Sequence, residues 1–257
     1  MSVLPIGWHQ LALCMAFVVV AAAASLALRL RLERDLLWGS VRTFAQLFLV
    51  GYVLHFIFGL RNPALVLLYY VWMIFWAARA VRKRVDEDRV RVFGPTFVSM
   101  VVSYVLVTAF VTGAIVGARP WYLPQYFIPL GGMIIGNSMN AVSIGLDRLF
   151  SDLRKQRAEI ELAFCLGATY QEATGDYLRD AVKAGMIPSV NALMTVGLVS
   201  LPGMMTGQIL AGQPPLQAIR YQIVVMLMLV ASTAIGSALV IHIVRRMCFT
   251  PAHQMRL

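Results

Sequence analysis

Seven apolar stretches, each about as long as a helix needs to be to cross hydrocarbon, constrain this chain more than anything else in it. They run at 6–28, 42–60, 63–81, 95–117, 125–146, 188–211 and 216–244. At 1.5 Å rise per residue, roughly 20 residues cover the ~30 Å of a bilayer core. Composition agrees, since 60% of the 257 residues are hydrophobic and 13% are charged. Lipid rather than water is the solvent these proportions suit. The expected fold is all-α: a polytopic membrane helical bundle of about seven transmembrane helices, forming a single transmembrane domain over residues 1–257.

A formal net charge of +10 would point to an anionic partner in a soluble protein, so the placement of the charges decides its meaning. With the N-terminus outside, every basic residue falls on the inner side except Arg61, Arg119 and Arg220. The positive-inside tendency then fixes an N-out, C-in orientation and removes the need for a nucleic-acid partner. The first stretch has no basic residue before it and ends in RLRLERD rather than in a small-residue cleavage site. It reads as a retained span, not a signal peptide. Cys14, Cys165 and Cys248 fall in different segments, which argues against a disulfide framework.

All 12 acidic residues also fall on the inner side, and none sits in the middle of a span. Ion-driven carriers commonly bury a carboxylate or lysine that binds the driving ion. A proton-driven carrier is therefore not expected. Nor is a nucleotide site: Lys83, Lys155 and Lys183 follow Arg82, Arg154 and Val182, never the glycine of a phosphate-binding loop. No cofactor is expected on this chain; ATP and magnesium would belong to a partner subunit.

The longest inner segment, about 147–187, is punctuated for two helices with a sharp break. Gly167 can supply the left-handed residue that ends the first, and Thr169 with Glu172 forms an S/T-x-x-E box that starts the second. The second helix is expected to end near Gly185, leaving Pro188 for the first turn of the sixth span. Tyr170, Ala173, Tyr177 and Ala181 recur on one of its faces. That face suits either the bilayer surface or its own bundle, or a groove on an ATPase subunit that it would couple to the membrane. The charged run RKRVDEDRVR reads as a solvated turn, and GQPPL as an outer one.

The stretch GLVSLPGMMTGQILAG, 197–212, is apolar enough for lipid yet holds Pro202 beside Gly203. Proline in a helix interior removes a backbone bond and clashes with the preceding turn, so the sixth span is expected to kink or unwind there. Freed backbone groups at membrane depth need protein or a water-filled cavity, which is how broken helices come to form binding or gating sites. Pro202, Gly203 and Gly207 are the candidate break or gate, and Met204, Met205, Thr206 and Gln208 the candidate lining. Gly203 and Gly207 also make a GxxxG face that permits close helix packing. In the fifth span Gly132, Gly136, Asn140, Ser143 and Asp147 follow one side, and Asn137 and Ser138 widen it. Asn191 and Thr195 would add to the same path. Interhelical hydrogen bonding is the alternative role for all of these polar groups. Met133, Met139 and Met194 join the sulfur-bearing residues near them, where core packing competes with soft-metal contact. His9, His55 and His242 lie in three different spans and His253 in the tail, with no metal-ligand spacing.

The segment ELAFCLGA resembles the EAA loop of ABC-transporter permeases, in which Glu-Ala-Ala precedes a glycine; Leu162 stands where that loop has its first alanine. Over GMIIGNSMNAVSIGLDRL, ELAFCLGAT, IPSVNALM and GLVSLPGMMTGQILAGQPPLQAIRYQIVVM the chain resembles the FetB-like permeases, bacterial ABC-transporter membrane subunits assigned to iron export, with plant aluminium-tolerance relatives. The resemblance is dense over 127–228. It implies a permease subunit of the bacterial cytoplasmic (inner) membrane that pairs with a separate ATP-binding subunit, as two copies of each, and exports iron or another metal cation. The EAA-like segment places ATPase coupling on Glu161, Gly167 and Ala168, and the capped helix expected after it adds Thr169, Tyr170, Glu172 and Tyr177. Two other classes fit the residues: an ATP-independent metal channel or carrier, and a membrane scaffold that recruits a soluble partner.

Overall fold

The computed structural model describes residues 7–59, 62–85, 90–250 and 254–255. In chain order these form α1 (Trp8–Ala27), α2 (Glu33–Phe58), α3 (Pro63–Arg84), α4 (Phe93–Phe110), α5 (Pro124–Lys155), α6 (Arg157–Cys165), α7 (Tyr170–Ala173), α8 (Gly175–Thr195), α9 (Gly203–Leu210) and α10 (Pro215–Met247). A π turn, Val111–Ile115, continues α4. Among the described residues every regular element is helical, with two isolated bridges besides. The expected charges at 61, 86–89 and 256, and His253, lie outside the described residues.

Among the described residues six helices are long and apolar enough to cross a membrane: α1, α2, α3, α4 with its π turn, α5 and α10. The expected span at 188–211 is not one helix. Its first part belongs to α8 and its last to α9, with a non-helical stretch between them. Six continuous helices and one interrupted segment thus take the place of seven spans. Helix ends also run past the apolar stretches. Helix α2 begins at Glu33, with Asp35 in its first turn, and α5 continues to Arg154 and Lys155 in its last. Carboxylates at a helix N-terminus and cations at its C-terminus suit the helix dipole, so these turns persist where hydropathy has already fallen.

The chain divides into two compact units, one of α1 and α2 with Leu210–Gly212, the other of the remaining elements. In the first, Arg29 and Arg31 take positive φ in the turn between the helices. Such backbone is unfavourable for non-glycine residues. The buried Ser25 hydroxyl offsets it by accepting from Leu32 N at 3.0 Å and reaching Glu33 at 3.3 Å. Trp8 stacks on Phe48 at 5.6 Å to close the other end.

In the second unit α5 is the hub, packed against α3, α4, α8 and α10. Its residues Ile134, Leu146, Leu149 and Leu153 are fully buried on one side. Lipid gives helices no hydrophobic reason to associate, so close backbone approach and hydrogen bonds must do it. Two tyrosine–glycine contacts serve this end. The Tyr70 ring fills the space a side chain at Gly131 would need, and Tyr104 does the same at Gly236. The Tyr70 hydroxyl meets Thr108 Oγ1 at 2.9 Å, and Ser138 Oγ meets Thr233 Oγ1 at 3.4 Å.

Helix α8 lies almost backbone to backbone on α5: a Cβ at Gly185 would stand 2.5 Å from the Ala141 carbonyl oxygen. This contact corrects the expected helix end near Gly185, because α8 runs through Gly185 and Pro188 to Thr195. Packing on α5 holds the helix across the bond that Pro188 cannot make. The expected helix from Thr169 onward is in turn divided at Thr174. That residue is buried, and its hydroxyl donates to the Tyr170 carbonyl at 2.6 Å, a local bond that competes with helix continuation.

Candidate functional site

Two features of the second unit can do work. One is an elbow between α6 and α7. Helix α6 ends with Gly167 at φ +90°, Ala168 N bonding Ala163 O at 3.0 Å and Gly167 N bonding Phe164 O at 3.0 Å. This is the paired-bond termination that a left-handed glycine permits. Two residues on, the Thr169 amide donates to Glu172 Oε2 at 2.8 Å, and the Glu172 amide returns to Thr169 Oγ1 at 3.4 Å. The Thr169 backbone N–H, and after it the Thr169 hydroxyl, hold the Glu172 carboxyl below its ordinary range. The turn is thereby fixed from both sides.

The apex stands out from the bundle, with Leu166 80% exposed. Beneath it a groove of about 790 Å³ is lined by Arg157, Glu161, Gly167, Ala168 and Thr169, with Gln254 and Met255. Arg157 Nε pairs with Glu161 Oε1 at 2.7 Å across one turn. Tyr177 donates to Glu159 Oε2 at 2.9 Å. Burial first, and then that bond to a carboxylate, push its hydroxyl up to about 12. Glu161, Gly167, Ala168 and Thr169 therefore share one groove, Tyr170 and Glu172 form the turn leaving it, and Tyr177 braces α8 against α6.

The other feature is the interruption between α8 and α9. The last turn of α8 closes with Val196 N on Ala192 O at 3.0 Å, and Thr195 Oγ1 donates to Asn191 O at 2.9 Å. Gly197 then takes φ +83°, with its amide on Ser200 O at 2.9 Å. The break thus begins before Pro202. Pro202 instead precedes α9, where its carbonyl accepts from Thr206 N at 3.0 Å and Thr206 Oγ1 at 3.1 Å. A proline at a helix start gives up no helical bond. Gly203 and Gly207 sit in α9 with nothing within 4 Å of where a Cβ would be. Close packing within the chain falls on other glycines.

A cavity of about 420 Å³ lies between this interruption and α10, lined by Gly197, Pro202 and Met205 on one side and by Gln222 and Met226 on the other. Gln222 is buried, and its Oε1 has no hydrogen-bond partner among the described residues; the same holds for Gln208 Oε1. A buried amide oxygen left unpaired costs free energy. It is a ready acceptor for a solute, a water or a cation.

The fifth-span positions divide. Ser138 and Ser143 are buried, bonded to Thr233 and to the Met139 carbonyl. Asn137 and Asn140 are exposed, the first donating to Met133 O at 3.1 Å and the second accepting from Arg84 Nη1. Asn191 and Thr195 are exposed near the end of α8, and Met204, Met205, Thr206 and Gln208 are half-buried on α9. The structure brings Pro202 and Met205 to the cavity and leaves the α5 amides elsewhere. Among the described residues no group of three His, Cys, Asp or Glu side chains is placed to hold a metal ion.

Gln222, Arg84 and the pair Arg245 and Phe249 escape the sequence reading. Gln222 was detectable as an amide inside the last apolar stretch, just before the run IVVMLMLVA. Arg84 reads as one charge of a cluster, and only the fold aims it at Asn140. Cys14 and Cys165 are exposed, and Cys248 is buried with its thiol donating to the Val244 carbonyl at 3.2 Å.

Membrane-length helices, an interrupted segment and a projecting elbow define a polytopic α-helical integral membrane protein. The chain belongs to the uncharacterised protein family UPF0014, which matches residues 8–249. The UPF0014 membrane protein slr1647 of Synechocystis is 38% identical over 99% of this chain and 98% of its own length. The "Probable iron export permease protein FetB" of Escherichia coli is 36% identical over 96% of this chain and 94% of its own. The Arabidopsis thaliana protein ALUMINUM SENSITIVE 3 is 32% identical over 97% and 90%. Likeness to the family therefore extends well beyond 127–228, to the first two helices. No solved structure matches the chain.

Proposed function

We propose that this chain is the membrane-spanning permease subunit of an ABC transporter of the bacterial cytoplasmic membrane, exporting iron or another metal cation with energy from ATP hydrolysed on a separate subunit. The observation that carries this reading is the elbow. A turn locked by a left-handed glycine and a capping box holds the exposed Leu166 and the groove around Glu161 outside the bundle. A rigid projection with an apolar tip is what a groove on an ATPase subunit can grip. The relative named as a probable iron export permease supports the cargo.

In this reading the N-terminus lies outside and the C-terminus inside, the elbow at about 147–187 is cytoplasmic, and ATP and magnesium stay on the partner. Two copies of the chain assemble. Leu198 is 89% exposed beside the interruption, and Gly203 and Gly207 present bare backbone to open space. A glycine face of this kind supports close approach of a second membrane helix. The interruption and its cavity form the gate, with Gln222 joining Pro202 and Met205.

The test is ATP-driven uptake of iron(II) into inside-out vesicles that hold this chain and its ATPase. Uptake that needs both the ATPase and ATP is the expected result. Uptake by the chain alone would indicate a channel or carrier, and no uptake with intact ATPase binding would indicate a scaffold.

A further inference from the structure

We propose that a clamp of Phe164, Tyr170 and Phe249 carries displacement of the elbow into α10, so that Phe249 and Arg245 are positioning residues of the transport cycle. This inference rests on the permease reading above and adds to it a route for the motion.

Phe164 and Tyr170 stand three residues before and three after Gly167, one on each limb of the elbow. Both grip the same ring. Tyr170 stacks on Phe249 with centroids 5.7 Å apart and planes 25° apart, and Phe164 meets it edge-on at 5.9 Å and 89°. Phe249 is 5% exposed. One turn earlier on the same side, the guanidinium carbon of Arg245 lies 5.6 Å from the Tyr170 ring centre, and Arg245 is 4% exposed. A guanidinium over an aromatic face is attracted by the ring quadrupole, more so where water is excluded. The Gly167 turn therefore cannot shift without either carrying the end of α10 or opening this clamp.

Helix α10 is suited to pass the motion on. It runs 33 residues from Pro215 to Met247 with no proline beyond its first turn. From Arg245 to Gln222 the axial distance is about 35 Å at 1.5 Å per residue. Gln222 is one wall of the cavity beside the interruption. The other connection from the elbow, α8, contains Pro188 and stops at Thr195. The unbroken helix is the stiffer link.

The test uses the full chain with its ATPase in liposomes, comparing Phe249→Ala, Phe249→Leu and Phe249→Tyr with the wild type. Three quantities are read: ATPase retained on purification, ATP hydrolysed, and iron(II) moved per ATP. Phe249→Ala and Phe249→Leu are expected to keep the ATPase and its hydrolysis while iron moved per ATP falls at least about fivefold, the scale of an ordinary coupling free energy. Phe249→Tyr, which keeps the ring, is expected to restore the ratio. Phe249→Leu keeps apolar volume and carries the test should the alanine variant fail to accumulate. An unchanged ratio in Phe249→Leu overturns the proposal. So does a loss that only parallels loss of the ATPase, because Phe249 would then merely shape the docking surface. A wild type that moves no iron with ATP sinks the permease reading itself, an outcome visible before any variant is compared.

Discussion

The segment from Gly175 to Leu210 and the helix from Pro215 to Met247 are close in length, and both carry small and polar residues through apolar sequence, yet one is interrupted and the other is not. In the middle of α10 the hydroxyl groups turn inward. Ser232, Thr233 and Ser237 are fully buried, Ser237 donating to the Thr233 carbonyl at 2.6 Å and Thr233 meeting Ser138. In the α8–α9 segment Asn191, Thr195 and Ser200 stay exposed, and the backbone reverses at Gly197. Proline alone does not make this difference, since Pro129 lies inside α5 and Pro188 inside α8 without ending either. A left-handed glycine followed by a proline that starts a new helix does. Polar residues in lipid thus act as glue where the helix is held on its neighbours, and as an opening where the backbone itself departs from helix.

Breaking the continuous partner should have the largest effect. Ala231→Pro, on the exposed side of α10, is expected to cost about 3 kcal/mol or more and to abolish ATP-driven export; thermal unfolding of the solubilised protein and vesicle uptake measure the two. Survival of export would show that α10 need not be continuous. Next, Gly185→Val forces a side chain against the Ala141 carbonyl and should cost about 1–3 kcal/mol, separating α8 from α5; denaturation compared with Ala184→Val checks that the close approach, and not bulk, is responsible.

Gly167→Val places a β-branched residue at φ +90°, a strain of roughly 1–2 kcal/mol. With Glu161→Lys as a companion, it should remove export while membrane levels persist. Normal uptake by both variants would take the elbow out of the cycle. Gln222→Leu removes an unpaired buried oxygen, so stability should hold or rise by about 1 kcal/mol while export falls. Equal export in the variant would leave the cavity a packing defect.

The smallest effects are titrations at the elbow. The Tyr177 hydroxyl is raised to about 12, so its contribution is present below the ordinary tyrosine value of 10.0 and is lost as pH climbs through the raised one. Glu172 is lowered, so its contribution is present above the ordinary 4.5 and is lost as pH falls through the depressed value. Tyr177→Phe should erase only the alkaline part of the stability profile, followed by denaturation across pH.

The amino-acid sequence alone determined the class of fold, because crossing about 30 Å of hydrocarbon takes about 20 apolar residues whatever their neighbours. It also located the elbow: a left-handed glycine and a capping box are local devices, set by residues within a few positions of each other. Tertiary structure alone decided where α8 ends, because Gly185 and Pro188 read as a boundary until α5 is seen lying against them. It likewise decided that Ser138 and Ser143 face the bundle while Asn137 and Asn140 do not, and that Phe249 lies between the two limbs of the elbow. The reason is distance along the chain. These outcomes depend on residues 40 to 100 positions apart, or about that, meeting across helices, and helical periodicity says which face a side chain occupies but not which neighbour will cover it.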